Sequence, residues 1–257
     1  MERNYKYTRN LNRLEFLITL ACTGRCKHCS EGSHTASGKH IDGDAAADAV
    51  RKICGAFSIT SLMTFGGEPL LYAGEVCKIH SAAREMEISK RQLITNGYFS
   101  RDEKVIRETA EKLAQSGVTD LLLSVDAFHQ ETIPLEPVKI FAGAVRETGI
   151  PIRTQPAWLV DSNDPNPYNQ RTYEILREFD LMGIASAKGN IIYPEGNARR
   201  YLSEYFDSNK DYMNPYAEDS LDIRSICVVP DGDVLGGNIY ERDILDILDG
   251  YVPSESE

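Results

Sequence analysis

The chain of 257 residues has few of the features that mark membrane, secreted or nucleic-acid-binding proteins. No window contains 18 consecutive apolar residues, which argues against a transmembrane helix. The first seven residues lack an apolar core, so no secretory signal is expected. The chain has 28 Lys and Arg residues and 39 Asp and Glu residues, which gives a net charge of −11. A nucleic-acid-binding protein normally has a basic face, so this charge argues against that function. Six cysteines are too few for a disulfide-stapled scaffold. We therefore expect a globular protein of a reducing, cytoplasmic compartment.

Apolar segments with strand character alternate with helical patterns over residues 14–193. The six strand candidates are Leu14–Leu20, Ile59–Phe65, Gln92–Thr95, Val118–Val125, Ile150–Leu159 and Ile184–Tyr193. A helical pattern lies between each pair of neighbours, which is typical of βα units in a parallel α/β sheet. Six units are fewer than the eight of a closed barrel. The sequence thus predicts an open, partial (β/α)6 TIM-like barrel, with its chemistry in the loops at the C-terminal ends of the strands.

A polar stretch without clear periodicity, residues 207–222, separates this region from a short C-terminal part. There, Ser225–Val229 and Asp233–Leu235 flank an Asp-Gly turn and predict a β-hairpin. A short helix is expected from Ile244. The predicted organisation is a lead-in over residues 1–13, a core over 14–196 and a cap over 197–257.

Three of the six cysteines lie within eight residues, directly after the first predicted strand. Cys22, Cys26 and Cys29 have the spacing C-x3-C-x2-C. Three thiolates on one loop can hold three irons of a cubane cluster and leave the fourth iron open to another ligand. A zinc site completed by His28 or His34 is the alternative. A disulfide is disfavoured because three is an odd number.

A second segment, Gly66-Gly67-Glu68-Pro69, ends the second predicted strand. Together with the cysteine motif, it resembles the radical S-adenosylmethionine (radical SAM) superfamily. The resemblance covers residues 14–193. It implies a [4Fe–4S] cluster held by Cys22, Cys26 and Cys29, with SAM bound to the open iron. It also implies that one electron cleaves SAM to methionine and a 5′-deoxyadenosyl radical, which abstracts hydrogen from a substrate.

The resemblance assigns the methionine part of SAM to residues at the ends of the second and third strands and to one near the start of the fifth. Gly66, Gly67 and Glu68 correspond to the family segment that takes the amino group. Arg153 resembles an arginine that pairs with the carboxylate. Asn96, in an Asn-Gly turn after the third strand, is expected to reach SAM as well.

The nucleoside part of SAM is assigned in the same way. Ser124 and Asp126 end the fourth strand, where similar proteins place groups that bind the ribose. His28 occupies the position before the third cysteine, where the family prefers an aromatic ring beside adenine. Ile192 and Tyr193, at the end of the last strand, are expected to touch adenine too.

The other three cysteines have different surroundings in the sequence. Cys54 and Cys77 lie on apolar helical stripes and are expected to be packing residues. Cys227 opens a segment that resembles the C-terminal SPASM module of peptide-modifying members. No cysteine follows it, so that module's auxiliary clusters cannot form. Three roles stay open for Cys227: a packed residue, a stray ligand, or a donor that returns a hydrogen atom to a substrate radical.

The C-terminal resemblance favours an enzyme that acts on a peptide or protein segment, as a maturase or an epimerase. A small-molecule radical SAM enzyme and a non-catalytic iron–sulfur or SAM-binding partner protein are the alternatives. Residues 22–40 contain three basic residues, Arg25, Lys27 and Lys39, and one acidic residue, Glu31. This basic patch could steer an acidic flavodoxin or ferredoxin as the electron donor, or be a set of solvated cations.

Overall fold

The computed structural model describes residues 3–32, 38–207, 209–210, 212, 214 and 217–253. The strands in these ranges are β1 (Arg13–Leu17), β2 (Ser61–Phe65), β3 (Lys90–Thr95), β4 (Asp120–Leu123), β5 (Ile152–Thr154), β6 (Ala157–Trp158), β7 (Asn190–Ile191), β8 (Ser225–Val228), β9 (Asp233–Val234) and β10 (Gly237–Asn238). The helices are α1 (Gly43–Ala56), α2 (Ala73–Glu85), α3 (Glu103–Ser116), α4 (Ala127–Gln130), α5 (Leu135–Glu147), α6 (Pro167–Leu181), α7 (Gly196–Tyr201) and α8 (Ile244–Asp249). None of these helices is both long and apolar enough to cross a bilayer.

Six strands form one parallel sheet in the order β5-β4-β3-β2-β1-β8. Strands β1 to β5 thus lie side by side in chain order, as successive βα units require. One face of this sheet is apolar and packs against the helices that connect the strands. The predicted α/β fold, an open barrel with a six-stranded parallel sheet, is confirmed.

Local sequence explains where the helices begin and how they pack. The side chain of Asp42 accepts hydrogen bonds from the backbone N–H groups of Asp44 and Ala45, so Asp42 caps α1. Val50 and Ile53 then face the core. Helix α3 ends at Gly117, whose φ of 92° is a left-handed conformation that favours glycine.

The last two predicted strands are much shorter than expected. The segment Ile150–Leu159 is divided into β5 and β6 at Gln155 and Pro156. Proline has no N–H to donate to a neighbouring strand, which interrupts regular pairing. The segment Ile184–Tyr193 contributes a single bridge from Ser186 to Thr154 and the two residues of β7, which pair with β6.

The C-terminal part does not form the predicted hairpin. Ser225–Val228 instead lies parallel to β1 at the edge of the main sheet, and the hairpin is formed by β9 and β10. Helix α8 forms as predicted. The lead-in contacts it, because the N–H of Tyr5 donates to Asp249 at 2.9 Å. Strand β8, which lies after the predicted boundary at residue 196, belongs to the same sheet as β1.

Candidate active site

The three clustered cysteines lie on the loop that leaves β1 at the C-terminal edge of the sheet. Cys26 is buried, whereas Cys22 and Cys29 are half-buried. Burial raises the pKa of all three thiols, that of Cys22 to about 11, and the negative forms of Cys22 and Cys29 raise the pKa of Cys26 further. Burial thus keeps these thiols protonated, and a bound metal would stabilise their thiolate form.

Hydrogen bonds to sulfur hold the loop in place. The N–H of Gly24 donates to Cys22 Sγ at 3.3 Å, and Asn96 Nδ2 lies 3.6 Å from the same sulfur. Asn96 thus contacts the cysteine loop in this structure. A Cβ on Gly24 would lie 3.0 Å from Ile133 Cδ1 and 3.3 Å from Cys26 Sγ, so a glycine is needed there for close packing.

The two glycines after β2 press directly against the start of the cysteine loop. A Cβ on Gly66 would lie 2.7 Å from the carbonyl oxygen of Thr19, and one on Gly67 would lie 2.3 Å from that of Ala21. The N–H of Gly67 donates to Thr19 O at 2.7 Å. The backbone of the cysteine loop is the neighbour that requires glycine at these positions.

Glu68 is completely buried and ties three strand ends together. Its carboxylate accepts hydrogen bonds from Leu70 N at 2.9 Å, Thr95 Oγ1 at 2.7 Å and Asn96 N at 2.8 Å. Burial raises its pKa to about 7. Among the described residues no lysine or arginine forms an ion pair with it, and two carboxylate oxygens offer about four acceptor positions. One acceptor position is left without a donor among the described residues, and the role of Glu68 as a ligand of the SAM amino group, which the resemblance implies, stays a prediction.

Asp126 is also completely buried, and its acceptor positions are already used. Oδ1 accepts from the N–H groups of Phe128 and His129, both at 2.9 Å, and Oδ2 accepts from Ala157 N at 3.0 Å and lies 2.9 Å from His129 Nδ1. Burial alone would raise the pKa of Asp126, but His129 holds it well below the usual range. In this structure Asp126 caps α4 and orients His129, an arrangement that differs from the predicted contact with ribose.

His129 is a site residue that the sequence reasoning did not assign to SAM. Its ring centre lies 4.9 Å from that of His28, whose ring also lies 5.0 Å from Phe128. The Nδ1 atom of His28 is buried and has no hydrogen-bond partner among the described residues, and burial lowers the pKa of His28 to about 4. An Asp-x-x-His pattern at a strand end was the available signal, since a helical turn brings positions three apart together.

Cys26, His28 and His129 also form a group whose ligand atoms all lie within 4.8 Å of one another. This group bears on the zinc alternative, because a cysteine and two histidines are common zinc ligands. The other histidine considered for zinc, His34, lies outside the described residues.

The remaining predicted SAM residues have different surroundings. Arg153 forms a bidentate ion pair with Asp120, with N–O distances of 2.5 and 3.0 Å. Ser124 is half-buried, and its N–H donates to Thr95 O at 2.8 Å. Ile192 is buried in a small apolar cluster with Cys26, and Tyr193 beside it is half-buried.

The other cysteines lie apart from this centre. Cys54 and Cys77 pack against the main apolar core, in agreement with their predicted packing role. Cys227 is opposite Glu15 in the β1–β8 register. Its neighbours Ile226 and Val228 belong to the apolar core, so the side chain of Cys227 lies on the other face of the sheet, away from the helices.

Comparison with known proteins decides between the cluster and zinc interpretations. A model of the radical SAM superfamily matches residues 16–152, just over half of the chain. The chain belongs to the radical SAM superfamily. Membership confirms the predicted family and its cofactors, SAM and a [4Fe–4S] cluster. Three thiols at the edge of the sheet, near a buried carboxylate that forms no ion pair with any described lysine or arginine, fit that pair.

Curated relatives match about half of the chain. A probable GTP 3′,8-cyclase of Methanocaldococcus jannaschii is 26% identical over 126 residues. The match covers 49% of this chain and 40% of the relative. The chain thus spans about two fifths of the length of that protein.

Solved structures match nearly the whole chain at low identity. SuiB of Streptococcus suis bound to the precursor peptide SuiA has a TM-score of 0.59 and 16% identity, with 95% of this chain and 66% of SuiB covered. The enzyme anSMEcpe with bound AdoMet also has a TM-score of 0.59 and 16% identity, with 94% of this chain and 80% of that chain covered. At such identities the likeness shows the shared fold.

Proposed function

We propose that this protein abstracts a hydrogen atom from a peptide or protein segment. The observation that carries this proposal is that Asn96 contacts both Cys22, on the loop with Cys26 and Cys29, and the buried carboxylate of Glu68. When bound, the cluster and SAM supply a 5′-deoxyadenosyl radical. The three thiolates would hold the cluster, and Glu68 would take the ammonium group of SAM. The likeness to SuiB, whose structure contains a precursor peptide, supports a peptide as substrate.

Within this proposal, Cys227 returns a hydrogen atom to the substrate, as an epimerase requires. Burial raises the pKa of its thiol to about 12, so the S–H bond is intact at neutral pH. The backbone of Leu17, at the end of β1 from which the cysteine loop starts, is one of its hydrogen-bonding neighbours. The substrate carbon radical takes the hydrogen atom, the substrate C–H bond forms and Cys227 becomes a thiyl radical. One electron from an external low-potential flavodoxin or ferredoxin and one proton restore the thiol.

The same radical chemistry on a small molecule is the second candidate. It is favoured by the relatives described as GTP 3′,8-cyclases, which match half of this chain. A non-catalytic iron–sulfur or SAM-binding partner protein is the remaining alternative. Unlike an enzyme of either kind, such a protein would not consume SAM.

The electron donor is proposed to dock beside the cysteine loop in a reducing, cytoplasmic compartment. The support is the local excess of basic residues on an acidic chain. Lys27 adds little to this basic surface, because its Nζ lies 2.9 Å from Glu131 Oε1 and is already paired. Arg25 is exposed and has no ion pair among the described residues. It is therefore the cation of this loop that can attract an acidic protein.

The proposal is tested by anaerobic reaction of the reconstituted protein with dithionite, SAM and a mixture of acetylated, amidated hexapeptides in D2O. Because a thiol proton exchanges with solvent, donation by Cys227 would place one deuteron on the product carbon. Peptides with one added deuteron and an inverted α-carbon support the epimerase proposal. If 5′-deoxyadenosine is released and no peptide is altered, the peptide proposal is wrong and small molecules are tested next.

A further inference from the structure

A groove on the helical side of β6 lies apart from the cysteine loop. Its volume is about 590 Å³, and we call it the outer groove. Its lining includes Trp158, Tyr173, Arg177, Asp180, Ser186 and Lys188. Trp158 belongs to the main apolar core. The residues on either side of it, Ala157 and Leu159, pack in the small cluster with Cys26. Because side chains alternate along a strand, the outer groove and the cysteine loop lie on opposite sides of this segment.

The outer groove is open to solvent beside the last strand of the barrel. Helix α7, which follows β7, packs at the cysteine loop, where the N–H of Asn197 donates to Cys29 O at 2.9 Å. Ser186 and Lys188 are exposed, and Tyr173 of α6 is 45% exposed. A small molecule can thus enter the groove without displacement of a helix.

Two aromatic rings form one wall of the outer groove. The ring centres of Trp158 and Tyr173 lie 4.9 Å apart, with their planes at 40°. Both rings are fixed by hydrogen bonds, because Trp158 Nε1 donates to Lys188 O at 2.7 Å and Tyr173 Oη donates to Ser162 O at 2.9 Å. Trp158 is buried and Tyr173 covers it, so the ring of Tyr173 is the accessible one. A fixed, exposed ring is a stacking surface for a planar ligand.

Two cations of the outer groove have no counter-ion. Arg177 and Lys188 are exposed, and the side chain of neither forms an ion pair or a hydrogen bond with a described residue. Asp180 is the one acidic residue of the lining, which leaves an excess of positive charge. Ser186 Oγ accepts from Thr154 Oγ1 at 2.9 Å and keeps its own hydrogen for another acceptor. A guanidinium, an ammonium and a hydroxyl are the donors that carboxylates and phosphates take.

The spacing along α6 sets the distance between the aromatic and the cationic part. Tyr173 and Arg177 are four positions apart and therefore neighbours on one side of the helix. The rise of four helical residues is about 6 Å. A ligand that contacts both residues thus has its anionic group about 6 Å from the centre of its ring.

We propose that the outer groove binds a small aromatic anion, with its planar ring against Tyr173 and its carboxylate or phosphate between Arg177 and Lys188. The groove volume of about 590 Å³ lies in the range of roughly 300–1,000 Å³ that is usual for small-molecule sites. Aryl carboxylates with a short linker and nucleoside monophosphates share this chemistry. The inference does not depend on the proposed function, because the groove and the cysteine loop are on opposite sides of β6.

The test uses Trp158 as a reporter, since it is the single tryptophan of the chain. Reconstituted protein with a nitrogen-15-labelled indole is saturated with S-adenosylhomocysteine, which occupies the SAM site. The one indole N–H signal is then followed by NMR without oxygen, and affinities are measured by equilibrium dialysis. We expect 3-phenylpropionate or adenosine monophosphate to shift the signal to saturation, and the ligand that does so identifies the source of the anion.

Analogues test the two halves of the ligand separately. 3-Cyclohexylpropionate keeps the anion without the aromatic ring, and 3-phenylpropanamide and adenosine keep the ring without the charge. Each is expected to bind about tenfold more weakly than its parent ligand. Equal affinity for all analogues and parents would contradict the proposal.

Substitutions test the two cations. Arg177→Gln and Lys188→Gln should each lower the affinity about tenfold through a lost charge-assisted hydrogen bond. The matched control is Arg171→Gln, an exposed position of the same helix outside the groove, which should leave the affinity unchanged. Circular dichroism checks that the variants fold, and if they do not, the analogue series on the wild-type protein decides.

Three results would overturn the inference. These are no saturable shift with either ligand, binding that occurs only without S-adenosylhomocysteine, and unchanged affinity in both groove variants. The radical chemistry is tested separately. A protein that binds the anions and releases no 5′-deoxyadenosine would retain the outer groove and refute the proposed function.

Discussion

The six cysteines form two sets of three that differ in where they lie in the fold. Cys22, Cys26 and Cys29 lie on one loop at a strand end, with the N–H of Gly24 and the amide of Asn96 directed at sulfur. The other set is spread over α1, α2 and β8. Cys54 and Cys77 pack against the core, and Cys227 lies on the face of the sheet that points away from the helices.

The difference shows what turns a thiol into a ligand. Burial raises the pKa of cysteines in both sets, so burial does not distinguish them. What the first set has is mutual proximity at the edge of the sheet, where the ends of several parallel strands bring further polar groups together. The predictions below test this contrast.

The largest expected effect follows from removal of the whole first set. Replacement of Cys22, Cys26 and Cys29 by Ala should abolish the brown chromophore and SAM cleavage together, because no other cysteine lies near enough to replace a ligand. Iron analysis after anaerobic reconstitution is the measurement. Near-stoichiometric iron in the triple variant would mean that the cluster lies elsewhere.

Cys227→Ala should separate two steps that wild type performs together. We expect this variant to retain the cluster and to release 5′-deoxyadenosine, but to fail to complete the product, since no S–H bond remains to supply hydrogen. Product and 5′-deoxyadenosine are quantified from the same reaction. Complete product formation by the variant would remove Cys227 from the mechanism and leave it as a packing residue.

Reversal of the charge of Arg25, which lies between Cys22 and Cys26, should have a smaller effect on turnover. Arg25→Glu is expected to slow flavodoxin-driven turnover about threefold at low salt and to reduce its dependence on ionic strength. Turnover driven by dithionite, which needs no protein docking, should be unchanged. Lys27→Glu serves for comparison, because Lys27 is already paired with Glu131. Equal turnover and equal salt dependence in wild type and Arg25→Glu would show that this loop is not the docking surface.

The smallest effect is expected from the packing cysteines. Cys54→Ala and Cys77→Ala should each lower the free energy of unfolding by about 1 kcal/mol through lost side-chain contacts. Iron content and SAM cleavage should equal those of wild type, which makes the double variant a control for the triple one. Loss of iron in the double variant would contradict the division into two sets.

Much of the fold could be predicted because its first half follows local rules. Apolar strands and helices alternate regularly through β4, and each helix presents its apolar stripe to the sheet. The second half could not be read in this way. Pro156 divides a predicted strand, and the alternation in Ser225–Val228 indicates a strand without indicating its partner, which is β1 and lies over 200 residues away.

The candidate site shows the same limit at the level of single side chains. Spacing predicted the three cysteines, since they share one loop, and the Gly-Gly-Glu segment identified the neighbouring strand end. The partners of Asp126 and Arg153 depend on tertiary contacts. The carboxylate of Asp126 contacts His129, and the guanidinium of Arg153 pairs with Asp120, although both Asp126 and Arg153 were predicted to bind SAM.

The most direct test of the central claim is a single anaerobic measurement of SAM cleavage. Protein reconstituted with iron and sulfide is mixed with SAM and dithionite, and 5′-deoxyadenosine is quantified against the triple cysteine variant. Our account predicts release by the wild-type protein and none by the variant. An iron-loaded wild-type protein that releases no 5′-deoxyadenosine, alone or with the peptide mixture, would contradict the account and favour a non-catalytic binding partner.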